Sequence, residues 1–263
     1  MESRSNIRQN SRAIRSYYDD GERGDQVAIY VEPMEVYDAT TTLVNSRGSK
    51  ILFIQLPFNS PRFLNLSHEL LHSIRDVRRL PCTWFFGGNR IFQGRYAVPE
   101  TKMLSLVSSM IAQLIHLVPR RFNDPDMVLS REAFRSLHLL EPNSVGMTIS
   151  LPIAINIIKA LVNVIPHGIL FFFHGCNDLI PTHGTSRDEV CRLFASLLRF
   201  LARDEPAKPR KILWIESDSS NTFARMISRA GRARDYTRYV YPHDWNDGRR
   251  RSTTSILTTR PSL

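Results

Sequence analysis

Short apolar runs alternate with longer stretches of helical periodicity along most of this chain. Lys50–Leu56, Leu80–Phe86, Ile169–Phe173 and Lys211–Ile215 are rich in β-branched and aromatic residues and read as strands. Val27–Val31 reads as a further short strand ahead of them. Between the strands, apolar residues recur at helical spacing. Phe63, Leu64, Leu66, Leu70, Leu71 and Ile74 mark one helix, with Ser60 as its N-cap and Pro61 at its first position. Lys102–Val118 is a long helix with a wide apolar face, ended by Pro119, and Arg131–Leu139, Ile153–Val164, Asp188–Ala202 and Thr222–Arg229 are the others. The run Ile169–Phe173 is apolar throughout, as expected of a strand covered on both faces. Strands alternating with helices predict an α/β fold: a three-layer α/β/α arrangement around a mainly parallel sheet with right-handed crossovers.

Composition narrows the picture. The chain has 263 residues, 42% hydrophobic and 23% charged, which suits one large α/β domain or two small ones; a single domain is placed at 25–245. Residues 1–24 are polar and read as a flexible basic lead, and 246–263 as a flexible basic tail. The lead carries no apolar core of a signal peptide, and no run approaches the ~18 apolar residues of a membrane span. Cys82, Cys176 and Cys191 are widely spaced and odd in number. They predict a reducing, intracellular setting, cytoplasmic or nuclear, and buried thiols rather than a disulfide framework or a cysteine-based zinc site. Net charge is +10, and much of the excess comes from arginines near the two ends, including Arg4, Arg8, Arg12 and Arg15, and Arg249, Arg250 and Arg251. Such clusters can contact nucleic acid weakly, although a solvated tail is the simpler reading and no aromatic-basic interleaving accompanies them.

The stretch Ser49–Leu64 carries the sharpest chemical question. A strand, a loop and a helix start follow one another where a P-loop NTPase has G-x-x-x-x-G-K-[ST]. Leu56, Pro61, Arg62 and Phe63 stand at the two glycines, the lysine and the hydroxyl, with Asn59 inside the loop. A phosphate cradle needs backbone N–H groups that turn inward and approach closely. Pro61 has no N–H and restricts the residue before it, Leu56 adds a branched side chain, and Phe63 offers no oxygen to Mg²⁺. Arg62 alone keeps a positive charge.

Further pieces follow in order: Thr83-Trp84-Phe85-Phe86, then Met103–Ile115 with Pro119, then Leu170–Asp178, then Lys211–Ser217. Together with Ile51–Leu64 they resemble the NACHT-type P-loop NTPase domain of STAND proteins. That domain runs from a Walker A loop through an aromatic strand and a leucine-rich helix to a Walker B strand and a strand ending in polar residues. The likeness spans roughly residues 45–220. It implies that His174 stands where the Mg²⁺-associated aspartate belongs, Asn177 at the second acidic position and Asp178 at the catalytic glutamate. It also implies that Glu216-Ser217-Asp218 replaces the residues that sense the γ-phosphate. Phosphoryl transfer depends on those groups for positioning and charge stabilisation. The expectation is a pseudo-NTPase with no catalytic residue and no cofactor, working through a protein partner as an interaction or scaffold module.

Two rival patterns lie in the same region. His68-Glu69-Leu70-Leu71-His72 matches H-E-x-x-H, in which two histidines hold Zn²⁺ and the glutamate polarises water. No G-x-x-H follows, so a third ligand would have to be Asp76 or Glu100. The plainer expectation puts His68 and His72 on the outer face of their helix. Phe171-Phe172-Phe173-His174-Gly175 resembles the oxyanion-hole strand of an α/β-hydrolase, but the chain has no G-x-S-x-G elbow, and Ser186, Ser196 and Ser217 lie in other contexts.

Overall fold

The computed structural model describes residues 2–10, 34–55, 61–87, 99–123, 128–138, 147–176, 179, 185–203, 205–216, 236–240 and 255–258. In chain order the elements are β1 (Glu2–Ser3), α1 (Arg4–Asn10), α2 (Met34–Asn45), β2 (Lys50–Gln55), α3 (Pro61–His72), a π-helical turn (Ser73–Val77), β3 (Cys82–Phe86), α4 (Pro99–Leu117), β4 (Arg121–Phe122), α5 (Arg131–His138), α6 (Met147–Val164), β5 (Ile169–His174), α7 (Thr185–Leu201), β6 (Arg210–Glu216), β7 (Tyr236–Val240) and β8 (Ser255–Thr258). This is an α/β fold with a mainly parallel sheet. The chain falls into two compact units.

One unit holds the six-stranded sheet, in the order β3-β5-β6-β2-β7-β8. The first five strands are parallel and β8 is antiparallel to β7. β2 and β5, the two strands that carry the motif candidates, therefore lie in one parallel sheet with β6 between them. Side chains alternate across a strand, so Leu52 and Ile54, Leu170 and Phe172, and Leu213 and Ile215 share a face. Against them pack Val36, Ala39, Leu43 and Val44 of α2 and Leu66, Leu70, Leu71 and Ile74 of α3 and its π-helical turn. Every residue of β5 is buried, as its unbroken apolar run predicts.

At the amino end of the sheet the backbone is close-packed. Ile169 N–H donates to Pro209 O at 3.1 Å, and a Cβ added to Gly168 would meet that same oxygen at 2.8 Å. Gly168→Ala therefore has to push the starts of β5 and β6 apart. The expected loss is roughly 1–2 kcal/mol in urea unfolding, with secondary structure retained.

The other unit is helical. α4 buries Met103, Leu106, Val107, Met110, Ile111, Leu114 and Ile115, and packs against α6, which buries Leu151, Ala154, Ile155, Ile158, Leu161 and Val162. β1 pairs antiparallel with β4, and α1 lies against α4 and α5 with Ile7 fully buried. Residues 2–10, read from their polarity as part of a flexible lead, are thus ordered. The signal is a single buried isoleucine and a two-residue ribbon, too short to register as a period. Residues 255–258, assigned to the tail, likewise pair with β7. Val27–Val31, the helix at 222–229 and most of the C-terminal arginines lie outside the described residues. Among the described residues no helix is long and apolar enough to cross a membrane.

Candidate functional site

In open parallel sheets, ligands bind outside the carboxyl ends of the strands. Here that edge is formed by Phe86 of β3, His174 of β5, Glu216 of β6 and Gln55 of β2. His174 continues the alternation of Leu170 and Phe172, which aims its ring at α3. On α3, Ser67 opens the buried stripe Ser67, Leu70, Leu71, Ile74, at spacings of three, four and seven. The two side chains meet: Ser67 Oγ and His174 Nδ1 are 2.6 Å apart. Ser67 is fully buried and His174 nearly so.

Burial lowers the His174 pKa from 6.5 to about 4, and the neighbouring His68 adds to the effect. The ring is therefore neutral at physiological pH. The His68 ring stacks on Phe86 with centroids 4.3 Å apart, and Phe86 in turn lies 5.6 Å from His174. Ser67, His68, Phe86 and His174 thus form one filled cluster where the sheet meets α3. A serine and a histidine in hydrogen-bond contact have the outline of a nucleophile and its base. This pair lacks the chemistry. The hydroxyl is sealed from solvent in mid-helix, and an imidazole with a pKa near 4 is a poor proton acceptor at neutral pH.

Glu216, at the end of β6, is also turned inward and is 2% exposed. Its Oε1 accepts the backbone N–H of Cys176 at 2.7 Å and the indole N–H of Trp214 at 2.8 Å. Gly175, with φ of 63°, makes the left-handed turn that brings Cys176 back to this carboxylate, and its own N–H donates to Ile215 O at 3.0 Å. The carboxylate placed by sequence at a phosphate-sensing position instead closes the turn after β5. The Cys176 thiol is fully buried, and burial followed by the Glu216 charge pushes its pKa well up. Burial likewise pushes Cys82 to about 12, so neither thiol is an activated nucleophile.

The H-E-x-x-H residues diverge. His72 is exposed, and its Nδ1–H donates to Asp76 Oδ2 at 2.8 Å. Arg75 and then His72 hold the Asp76 carboxyl down at about 2. Glu69 accepts a hydrogen bond from Tyr37 at 3.3 Å. His68 corrects the outer-face expectation, since it stacks on Phe86 while His72 faces solvent. Among the described residues, no group of three or more His, Cys, Asp and Glu side chains is placed to hold a metal ion.

Of the residues that the resemblance assigns to a nucleotide site, Leu56, Asn59, Asn177 and Asp178 lie outside the described residues, as do the side chains of Pro61, Arg62 and Phe63; so does that of Glu100, the alternative third metal ligand. The backbone of Pro61, Arg62 and Phe63 forms the first turn of α3, as the proline at the first helical position predicts. Sequence reasoning missed Ser67 and the inward role of Glu216. Ser67 was legible as the polar member of a buried helical stripe. The bond from Glu216 to Cys176 crosses 40 positions and leaves no local trace. Comparison with family models, curated proteins and solved structures gives no match.

Proposed function

We propose that the chain is a degenerate P-loop NTPase-like module of the NACHT type, acting in protein interaction or scaffolding and not in nucleotide hydrolysis. The observation that carries this reading is His174. At the position where the resemblance calls for a metal-associated carboxylate stands a buried imidazole bonded to Ser67, with its proton affinity depressed. It offers no negative charge to a hard cation such as Mg²⁺. The order of elements supports the same reading: β2, α3, β3, α4, β5 and β6 follow one another as the resemblance requires, and β2, β5 and β6 share one parallel sheet. Glu216 supports it too, since its Oε1 is occupied by Cys176 and Trp214.

A phosphate-release assay with MgATP and MgGTP tests the proposal. The expected result is no turnover above buffer, with Arg62→Ala indistinguishable from the parent protein. Mg²⁺-dependent turnover that disappears in Arg62→Ala overturns it.

A further inference from the structure

Residues from three distant segments converge on one end of the helical unit. The β1–β4 ribbon pairs Ser3 with Arg121, and the Arg4 N–H donates to Arg120 O at 3.2 Å. α1 packs on both α4 and α5. The ribbon brings Arg4 and Arg8 of α1 near Arg120 and Arg121, and α5, which α1 also contacts, carries Arg131 and Arg135. Arg4 Nη1 donates to His116 O at 3.2 Å, and Arg8 Nη2 donates to His116 Nδ1 at 2.9 Å. Cations near this carboxyl end of α4 are favoured by its dipole.

The other four arginines are different. Arg120, Arg121, Arg131 and Arg135 are exposed, and none makes a side-chain hydrogen bond or ion pair with a described residue. Among the described side chains of these elements the acidic one is Glu132, against six arginines. Like charges concentrated without acidic partners raise a positive potential that draws a polyanion. Guanidinium forks match phosphate oxygens in a bidentate way that ammonium groups do not. Arg4 and Arg8, and Arg131 and Arg135, are each one helical turn apart, about 6 Å, which presents them in pairs.

We infer that this arginine face binds the phosphate backbone of a nucleic acid, independently of base sequence. A bilayer is the poorer fit. The one large hydrophobic side chain strongly exposed among the described residues is Val77, in the sheet-containing unit, so the described residues of this face supply no apolar wedge for the acyl boundary.

Fluorescence anisotropy of the full chain with labelled single-stranded and duplex oligonucleotides of mixed sequence, between about 50 and 200 mM salt, tests the inference. The parent protein should bind with little sequence preference. The combined variant Arg120→Ala, Arg121→Ala, Arg131→Ala, Arg135→Ala should bind at least tenfold more weakly. Its log K against log salt slope should be shallower by about 3–4, near one unit per lost phosphate contact. Lysine at the same four positions should restore most of the slope. If the fourfold alanine variant fails to fold, Arg131→Ala with Arg135→Ala should lower the slope by about 2. No oligonucleotide binding by the parent protein overturns the inference. So does an unchanged slope in the alanine variants, or a loss confined to Arg249→Ala, Arg250→Ala, Arg251→Ala. Capture of anionic vesicles without oligonucleotide binding overturns it as well.

Discussion

Replacing Glu216 with alanine should lower the unfolding free energy by about 3–5 kcal/mol. Two buried donors, the Cys176 N–H and the Trp214 indole N–H, lose the oxygen that they share. Leaving a buried donor unsatisfied costs about 1–3 kcal/mol, and the vacated side-chain volume adds a cavity contribution. Relief of carboxylate desolvation offsets part of this, which keeps the figure below the simple sum. Glu216→Gln retains an acceptor in the same place and should lose only about 1 kcal/mol. Urea unfolding of the two variants at neutral pH makes the comparison. A phosphate-sensing carboxylate should behave in the opposite way, with alanine near-neutral for stability. The ordering parent, Gln, Ala in falling stability therefore separates a residue that closes the turn after β5 from one that awaits a ligand. Equal stability of all three would remove the structural role assigned to Glu216.

Acidification should destabilise the protein through His174, by an amount reaching roughly 3 kcal/mol. In the unfolded chain the imidazole takes up a proton near pH 6.5, whereas in the fold burial holds it neutral down to about pH 4. Between those values the unfolded state binds more protons, so stability rises with pH. The contribution is full above pH 6.5 and is lost as pH falls through the window to 4. His174→Asn keeps a polar partner for Ser67 and does not titrate. The difference between parent and variant unfolding free energies should therefore vary with pH across this window and be flat above it. A His174 ring titrating near 6.5 by NMR would contradict the buried pair with Ser67.

The sequence made much of this edge legible. β2, β3, β5 and β6 announced themselves as apolar runs, and α3, α4 and α6 as helical stripes, because each buries enough surface to leave a period. α2 was missed, although Val36, Ala39, Leu43 and Val44 fall at helical spacing, because Thr40, Thr41 and Thr42 interrupt it with β-branched polar residues. β7 and β8 sit among arginines and are short, so little distinguishes them from a basic tail. His174 was singled out only through the resemblance, which sets it at a metal-associated position. Ser67 was legible as a buried polar residue, but its pairing with His174, 107 positions away, follows only from the packing of α3 on the sheet. The same holds for the arginine face. Its members were visible as charges, but only the β1–β4 ribbon and the docking of α1 bring residue 4 beside residue 120.

The central claim is that the described residues of this sheet's carboxyl edge are engaged internally, Ser67 and Phe86 with His174 and Glu216 with Cys176 and Trp214, and await no magnesium nucleotide. Equilibrium titration of the protein with MgATP and MgGTP, followed both by heat and by the His174 ring resonances, tests it most directly. The account predicts no saturable binding into the millimolar range and unmoved His174 signals. Saturable micromolar binding that requires Mg²⁺ and shifts the His174 resonances would contradict it.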